Sequence, residues 1–267
     1  MHELCKNRYE TLLGPISTIP FNNLMIRSII AGHVDGKVYV DSADNPQSFY
    51  IVHPYGMSYL FGNSGNKSFN KWLYDYLTGK SHTHQKDEWV QIYPSDWDFL
   101  MNRLVDEHIA ILHTRLNFKF DAATFNKNYK QIILPTHKVI STPTDMLFNI
   151  SGQVVPKDFW KTPEQFAKMA KAFTVIVDDK PASTAFTSST HDNKLEIGIE
   201  TMAEYHGQGL AYLACAKLIE YCLDNNLEPV WSCRLDNTGS VKLSKKLGFI
   251  ETLRMPYYHV TCKKASV

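Results

Sequence analysis

The sequence predicts a protein of the mixed α/β (α+β) class, on three observations. Leu195-Glu196-Ile197-Gly198-Ile199-Glu200 alternates apolar and polar residues with period two, the pattern of a strand. Gly207-Gln208-Gly209 follows, and then apolar residues at Ala211, Ala214, Cys215, Leu218 and Cys222 fall on one helix stripe. The first half of the chain shows the same alternation of short strands and amphipathic helices.

Taken in order, the first thirty residues start with an apolar helical face at Tyr9, Leu12 and Leu13, which breaks at Gly14-Pro15 and Ile19-Pro20. Phe21–Ile30 resumes a helical pattern. Val38–Val40 and Ser48–Val52 read as strands around a polar turn at Asp41–Pro46, and Met57–Phe61 as another. Ser68–Leu77 places Phe69, Trp72, Leu73 and Tyr76 on one helix stripe, with Ser68 as N-cap. Glu88–Tyr93 is a strand, Pro94-Ser95-Asp96 opens a helix through Val105, and Thr114–Phe120 alternates as a strand.

Ile140–Gly152 reads as the linker between an N-terminal α/β lobe, residues 1–145, and a C-terminal domain, residues 146–267. Beyond it, Thr162-Pro163-Glu164-Gln165 is a capping box with proline at the first helical position, and Phe166, Met169 and Phe173 share the face that follows. Thr174–Val177 and Ala182–Thr187 flank Asp178-Asp179-Lys180-Pro181 as a hairpin. After the strand and helix already described come a strand at Val230–Arg234, a helix at Ser240–Leu247 closed by Gly248, and a strand at Phe249–Leu253.

Composition narrows the function. With 267 residues, 44% hydrophobic and 21% charged, the chain is long enough for one large or two modest cores. A net charge of +1, balanced within each half, gives no electrostatic footprint for nucleic acid or an anionic membrane. The N-terminus lacks the apolar run of a signal peptide, and no stretch has the apolar length of a membrane span. Five cysteines in no metal-ligand spacing read as reduced thiols of a cytoplasmic protein. His82-Thr83-His84 has no nearby ligands in a metal pattern and reads as a polar loop. Gly62-Asn63-Ser64-Gly65-Asn66-Lys67-Ser68 looks like a P-loop, but Asn66 stands where glycine must precede the lysine, so a nucleotide hydrolase acting through Lys67 is a remote alternative.

Two glycines at the mouth of a helix let the backbone approach a ligand, and the helix's unpaired N–H groups favour an anion such as a diphosphate. A Rossmann reading fails because Tyr212 occupies the third small position. His206-Gly207-Gln208-Gly209-Leu210-Ala211 resembles the Q/R-x-x-G-x-G/A signature of the GNAT acyltransferases (GCN5-related N-acetyltransferases). Asn237-Thr238-Gly239-Ser240, Leu243 and Lys246-Leu247-Gly248-Phe249 resemble that family's second signature, so the likeness covers roughly Phe173–Leu253. His206 stands where the family has Arg or Gln, and Ser244 where it has Tyr. The N-terminal half more faintly resembles the first lobe of the two-lobed bacterial group that includes the zwittermicin A resistance acetyltransferase.

The resemblance implies a GNAT fold in the C-terminal domain, with a mixed, mostly antiparallel central sheet flanked by helices. It implies acetyl-CoA as co-substrate, without metal. Coenzyme contacts would come from His206, Gly207, Gln208, Gly209, Leu210 and Ala211 at the diphosphate, Ile199 and Thr201 at the strand end, and Asn237 and Ser240 at the pantetheine arm. Glu196 and Glu200 are the candidate catalytic carboxylates, either of which can take a proton from an ammonium of pKa ~10 before it attacks the thioester. With Ser244 unable to serve as the leaving-group acid, Tyr212, Tyr257 and Tyr258 are substitutes to test. The implied activity is N-acetylation of a small-molecule primary amine, in the antibiotic-like range of the two-lobed relatives, by a monomer or homodimer. The alternative is a weak or inactive acyl-CoA-binding sensor or regulatory module.

Overall fold

The computed structural model describes residues 1–81, 84, 86–131 and 137–262. Its contacts divide into two units, one of Met1–Arg115 joined by the chain from Arg254 onward, the other of Leu116–Leu253.

The first unit begins with β1 (His2–Glu3), a 3-10 turn at Lys6–Leu12, α1 (Leu13–Ser17) and α2 (Leu24–Ile30). Gly14 and Pro15 do not break the chain; they sit in the opening turn of α1, where proline's missing N–H costs no hydrogen bond. Three strands follow, β2 (Lys37–Val40), β3 (Ser48–Val52) and β4 (Met57–Gly62), then α3 (Lys67–Leu77), β5 (Glu88–Tyr93), α4 (Asp98–Asp106) and the start of β6 (Ala110–Phe120), whose residues from Leu116 on belong to the second unit. The N-cap of α3 is Asn66 rather than Ser68: its side chain accepts from Ser68 N and Phe69 N. Neighbouring strands from β1 to β4 are antiparallel, and β4 pairs β5 in parallel over Met57–Phe61 and Trp89–Tyr93. The core on one side of this sheet gathers Leu60, Phe69, Leu73, Val90, Trp97 and Leu104. Within it lies a buried carboxylate, Glu88, which accepts from the hydroxyls of Tyr50, Ser58 and Tyr76. Burial, with Glu88 alongside, pushes both phenols well above their ordinary range.

The second unit contains α5 (Ala122–Gln131), β7 (Lys138–Ser141), α6 (Thr144–Phe148), α7 (Pro163–Met169), β8 (Ala172–Val177), β9 (Lys180–His191), β10 (Lys194–Thr201), α8 (Leu210–Asp224), β11 (Glu228–Arg234), α9 (Thr238–Lys246) and the start of β12 (Phe249–Val260), whose residues from Arg254 on belong to the first unit. The stretch expected as a linker, Ile140–Gly152, contains the second half of β7 and all of α6. Thr162 caps α7 by accepting from Gln165 N, and the helix ends at Met169, so Phe173 belongs to β8 instead. From β7 to β10 the strands are antiparallel, and β10 pairs β11 in parallel. The sheet is therefore mixed and mostly antiparallel, with α8 packed on β8, β9 and β10.

The two units share one order of parts: three antiparallel strands, a helix, a strand parallel to the third, a second helix and a closing strand. The closing strands are exchanged. β12, which follows the second unit's last helix, pairs with β5 through Tyr258–Val260, and β6 lies beside β11.

Candidate active site

The site is built on β10 and the turn that follows it. Both faces of β10 are covered. Leu195 and Ile197 enter the core with Leu213, Leu218, Trp231 and Phe249, and Glu196 on the opposite face is only 4% exposed. The ladder with β9 runs the whole strand, from Lys194 to Thr201, with a bulge between Glu196 and Ile197. The ladder with β11 covers only Lys194–Glu196 against Glu228–Val230. A bulge bends the strand that carries it, and here it falls where the parallel pairing stops. From Ile197 on, including Ile199 and Thr201, that edge of β10 offers its alternate N–H and C=O groups to an extended ligand.

Beyond Thr201 a 3-10 turn, Ala203–Tyr205, leads into the glycine turn. Gly207 and Gly209 have φ of 78° and 79°, and a Cβ on either would meet nothing within 4 Å. Glycine is required here for left-handed backbone, not for lack of room. Gly209 is the N-cap of α8 and supplies no side-chain cap, so the first-turn N–H groups at Leu210 and Ala211 point outward without an intrahelical acceptor. With the dipole of a fifteen-residue helix behind them, they favour an anion. His206 Nε2 donates to the Thr201 carbonyl at 2.8 Å, and Gln208 Nε2 to the Glu204 carbonyl at 3.3 Å, so both side chains brace the turn.

At the head of α9, Asn237 accepts from Ser240 N at 3.1 Å, and Trp231 Nε1 donates to Ser240 Oγ at 3.1 Å. Ser244 is fully buried and donates to the Val241 carbonyl of its own helix. Of the substitute phenols, Tyr212 is buried on α8, and burial with Tyr129 nearby pushes it up to about 12. Tyr257 and Tyr258 belong to the first unit, where Tyr257 packs on Trp89 and Arg115 while the Tyr258 hydroxyl donates to Asp98.

The two carboxylates differ in their surroundings. Glu196 Oε1 accepts from Ser232 Oγ at 3.1 Å. Glu200 Oε2 accepts from Gln153 N at 3.1 Å and Val154 N at 2.7 Å, which ties the segment between α6 and α7 to the sheet. A Cβ on Gly152, whose φ is 150°, would fall 2.4 Å from Glu200 Cδ, so a side chain there would have to displace the Glu200 carboxylate from this clamp. Neither Ser232 nor the Gln153–Val154 pair is visible in the sequence as part of the site, because both depend on chain segments meeting across the fold. The alternation Val230-Trp231-Ser232-Cys233-Arg234 is the one available sign that Ser232 faces away from the core.

Among the described residues no group of three or more His, Cys, Asp or Glu side chains could hold a metal ion, and His82 and Thr83 lie outside those residues. Among them, too, no helix is long and apolar enough to cross a membrane.

A parallel strand pair that opens beside a left-handed glycine turn and an uncapped helix defines a protein shaped for an extended ligand carrying a diphosphate, and the residues present fit acetyl-CoA. The chain belongs to the GNAT acetyltransferase family, whose model matches residues 18–258. It is an acetyl-CoA-dependent acyltransferase by that membership. It is 25% identical over 263 residues to YdfB, an uncharacterized N-acetyltransferase of Bacillus subtilis (strain 168), with 97% of this chain and 98% of that protein covered. Its fold resembles a GCN5-related N-acetyltransferase-like protein from Streptococcus suis 89/1591, with TM-score 0.73, 18% identity and coverage of 96% of this chain and 100% of that one. It also resembles a tandem GNAT protein from the clavulanic acid biosynthesis pathway, with TM-score 0.61, 11% identity and coverage of 99% and 98%.

Proposed function

We propose that the protein moves the acetyl group of acetyl-CoA to the primary amine of a small molecule, in the cytoplasm, by direct attack of the amine. The observation that carries this reading is the open edge of β10 running from a buried carboxylate, Glu196, into the glycine turn of α8. Acetyl-CoA bound there supplies a thioester carbonyl open to attack.

The chain's own residues do the rest. Backbone N–H groups from Gly207 to Ala211 hold the diphosphate, with His206 and Gln208 keeping the turn in shape. Ile199 and Thr201 offer the strand edge that the pantetheine arm follows as an added strand would, and Asn237 and Ser240 border it. A strand-edge N–H aimed at the carbonyl oxygen stabilises charge that develops only in the transition state. Glu196 accepts the proton of the acceptor ammonium, whose pKa of ~10 otherwise keeps the nitrogen lone pair occupied at neutral pH. Glu200 serves the acceptor side by fixing Gln153 and Val154. Ser244 donates within its own helix, so the leaving sulfur, with a thiol pKa of ~8.5, departs as thiolate without a phenolic acid. The first unit is a degenerate lobe of the same plan.

The test is release of free coenzyme thiol from acetyl-CoA against a library of small primary amines, with wild type and Glu196→Gln. Turnover that Glu196→Gln reduces at least tenfold, with acetyl-CoA affinity kept, is the expected result. Tight acetyl-CoA binding without turnover of any amine would remove the proposed acceptor class.

A further inference from the structure

We propose that residues 150–157 form an autoinhibitory strap that Glu200 latches across the acceptor side of β10, and that the acceptor amine binds only once this latch has opened. This inference rests on the reading of the Glu196 face as the acceptor side, and it adds what controls entry to that face.

Along β10 the face in question carries Glu196, Gly198 and Glu200 in turn, and each is shielded. Glu196 is buried, as is Ser189 opposite it on β9. At Gly198 the ring of Phe186, its partner on β9, stands where a side chain would be: an ideal Cβ there would fall 2.6 Å from that ring. At Glu200 the strap itself is the cover, since Gln153 N and Val154 N both donate to Oε2. An amine can therefore reach Glu196 along this face only when part of the cover moves.

Which part moves follows from how each is held. Phe186 is fully buried on a strand paired with β8 on one side and β10 on the other, and Phe159 packs on it with ring centroids 5.7 Å apart. Just beyond the strap, Trp160 Nε1 donates to the Thr187 carbonyl at 2.7 Å and pins the approach to α7. The middle of the strap has no such anchor. Ser151, Gly152 and Gln153 are exposed, and among the described residues the hydrogen bonds that tie residues 150–157 to the sheet are the two that Glu200 accepts. The others are local: Ile150 N donates back into α6, and Val155 and Pro156 accept from Asp158, Phe159 and Trp160. One side chain thus fastens the whole span between α6 and the 3-10 turn at Pro156–Asp158. The closed state also leaves a need that an amine can meet. The buried Ser189 hydroxyl has no hydrogen-bond partner among the described residues, which costs the closed fold free energy. It can accept one N–H of an arriving amine while Glu196 takes the proton.

Gly152→Ala opens the latch without altering the carboxylate, because the new Cβ, at φ of 150°, would fall 2.4 Å from Glu200 Cδ. Glu200→Gln weakens it from the other side, by replacing a charged acceptor with a neutral one. In the full chain, amide exchange at Gln153 and Val154 is expected to quicken by at least about tenfold in Gly152→Ala, which measures the rise in the open population. An acceptor that binds only the open state does so in proportion to that population. The kcat/KM for the amine, read by thiol release at saturating acetyl-CoA, should therefore rise by the same factor while the open state stays minor, with the KM for acetyl-CoA unchanged. Glu200→Gln should move exchange in the same direction by a smaller factor. Faster exchange in Gly152→Ala with kcat/KM unchanged or lowered would overturn the proposal and leave the function intact, and so would exchange as slow as wild type in both variants. No turnover of any amine by wild type or either variant would instead remove the acceptor reading, and the strap's role with it.

Discussion

Gly209→Ala isolates what the glycine turn contributes. At φ of 79° a left-handed backbone costs an L-residue about 1–2 kcal/mol. No steric cost is added, since the new Cβ meets nothing within 4 Å. The whole penalty must appear in one of two places. If the turn keeps its shape in the free protein, unfolding free energy falls by that amount. If the turn relaxes and is reformed on binding, the Kd for acetyl-CoA rises by roughly 5–30-fold, at about 1.4 kcal/mol per factor of ten. Calorimetric titration with acetyl-CoA and urea unfolding, run on the same samples, give the two parts, whose sum should be about 1–2 kcal/mol. Gly209→Asn should lose less, because asparagine tolerates the left-handed region. An alanine variant matching wild type in both measurements, or an asparagine variant worse than alanine, would refute the reasoning.

Saturating titration is expected to find one acetyl-CoA per chain: β4 and β5 stay paired from Met57 to Phe61, and Asn66 already occupies the N–H groups that open α3. Two equivalents bound with similar affinity would contradict this. Asn66→Ala removes that cap and should cost about 1 kcal/mol in urea unfolding. Glu200→Ala frees Gln153 and Val154 and should speed hydrogen exchange at those two amides by at least tenfold, at about 1.5–3 kcal/mol for a hydrogen bond to a charged group. Glu88→Ala strands three buried hydroxyls, so a loss of about 3–5 kcal/mol in the stability of the first unit is expected, against little change in acetyl-CoA affinity. Burial pushes the Cys222 thiol up to about 12 and the Cys215 thiol higher still, so in a disulfide-exchange assay near pH 8 the exposed Cys5 should react while these two wait for unfolding.

What the sequence discloses and what it withholds divide along the range of the interactions. β10, the glycine turn and α8 are legible because period-two alternation, paired glycines and a helix stripe are local patterns. The Asn237 cap is legible for the same reason. Adjacent cap-capable residues blur the start of α3, where Asn66 precedes Ser68 by two positions and takes the role. Met169 and Phe173 fit one stripe on paper, yet the chain leaves the helix at Ala170 to enter β8. The face of β10 bearing Glu196 reads as half-exposed from alternation alone. It is buried because both sides of this strand are covered, a tertiary fact. The bulge after Glu196, the bond from Ser232 and the Glu200 clamp all depend on inter-strand register or loop path, which no local pattern encodes.

The exchanged closing strands bear on how the chain reaches this state during synthesis. The N-terminal part of the first unit is translated early but lacks its last paired strand until Tyr258–Val260 leave the ribosome; the His259–Asp87 bond joins positions 172 residues apart. Long-range pairings of this kind form late and slowly. Until then β5 has a bare edge, open to wrong partners. A fragment cut anywhere between the units inherits that unfinished edge, and the two pieces would recover the native sheets only by assembling with each other.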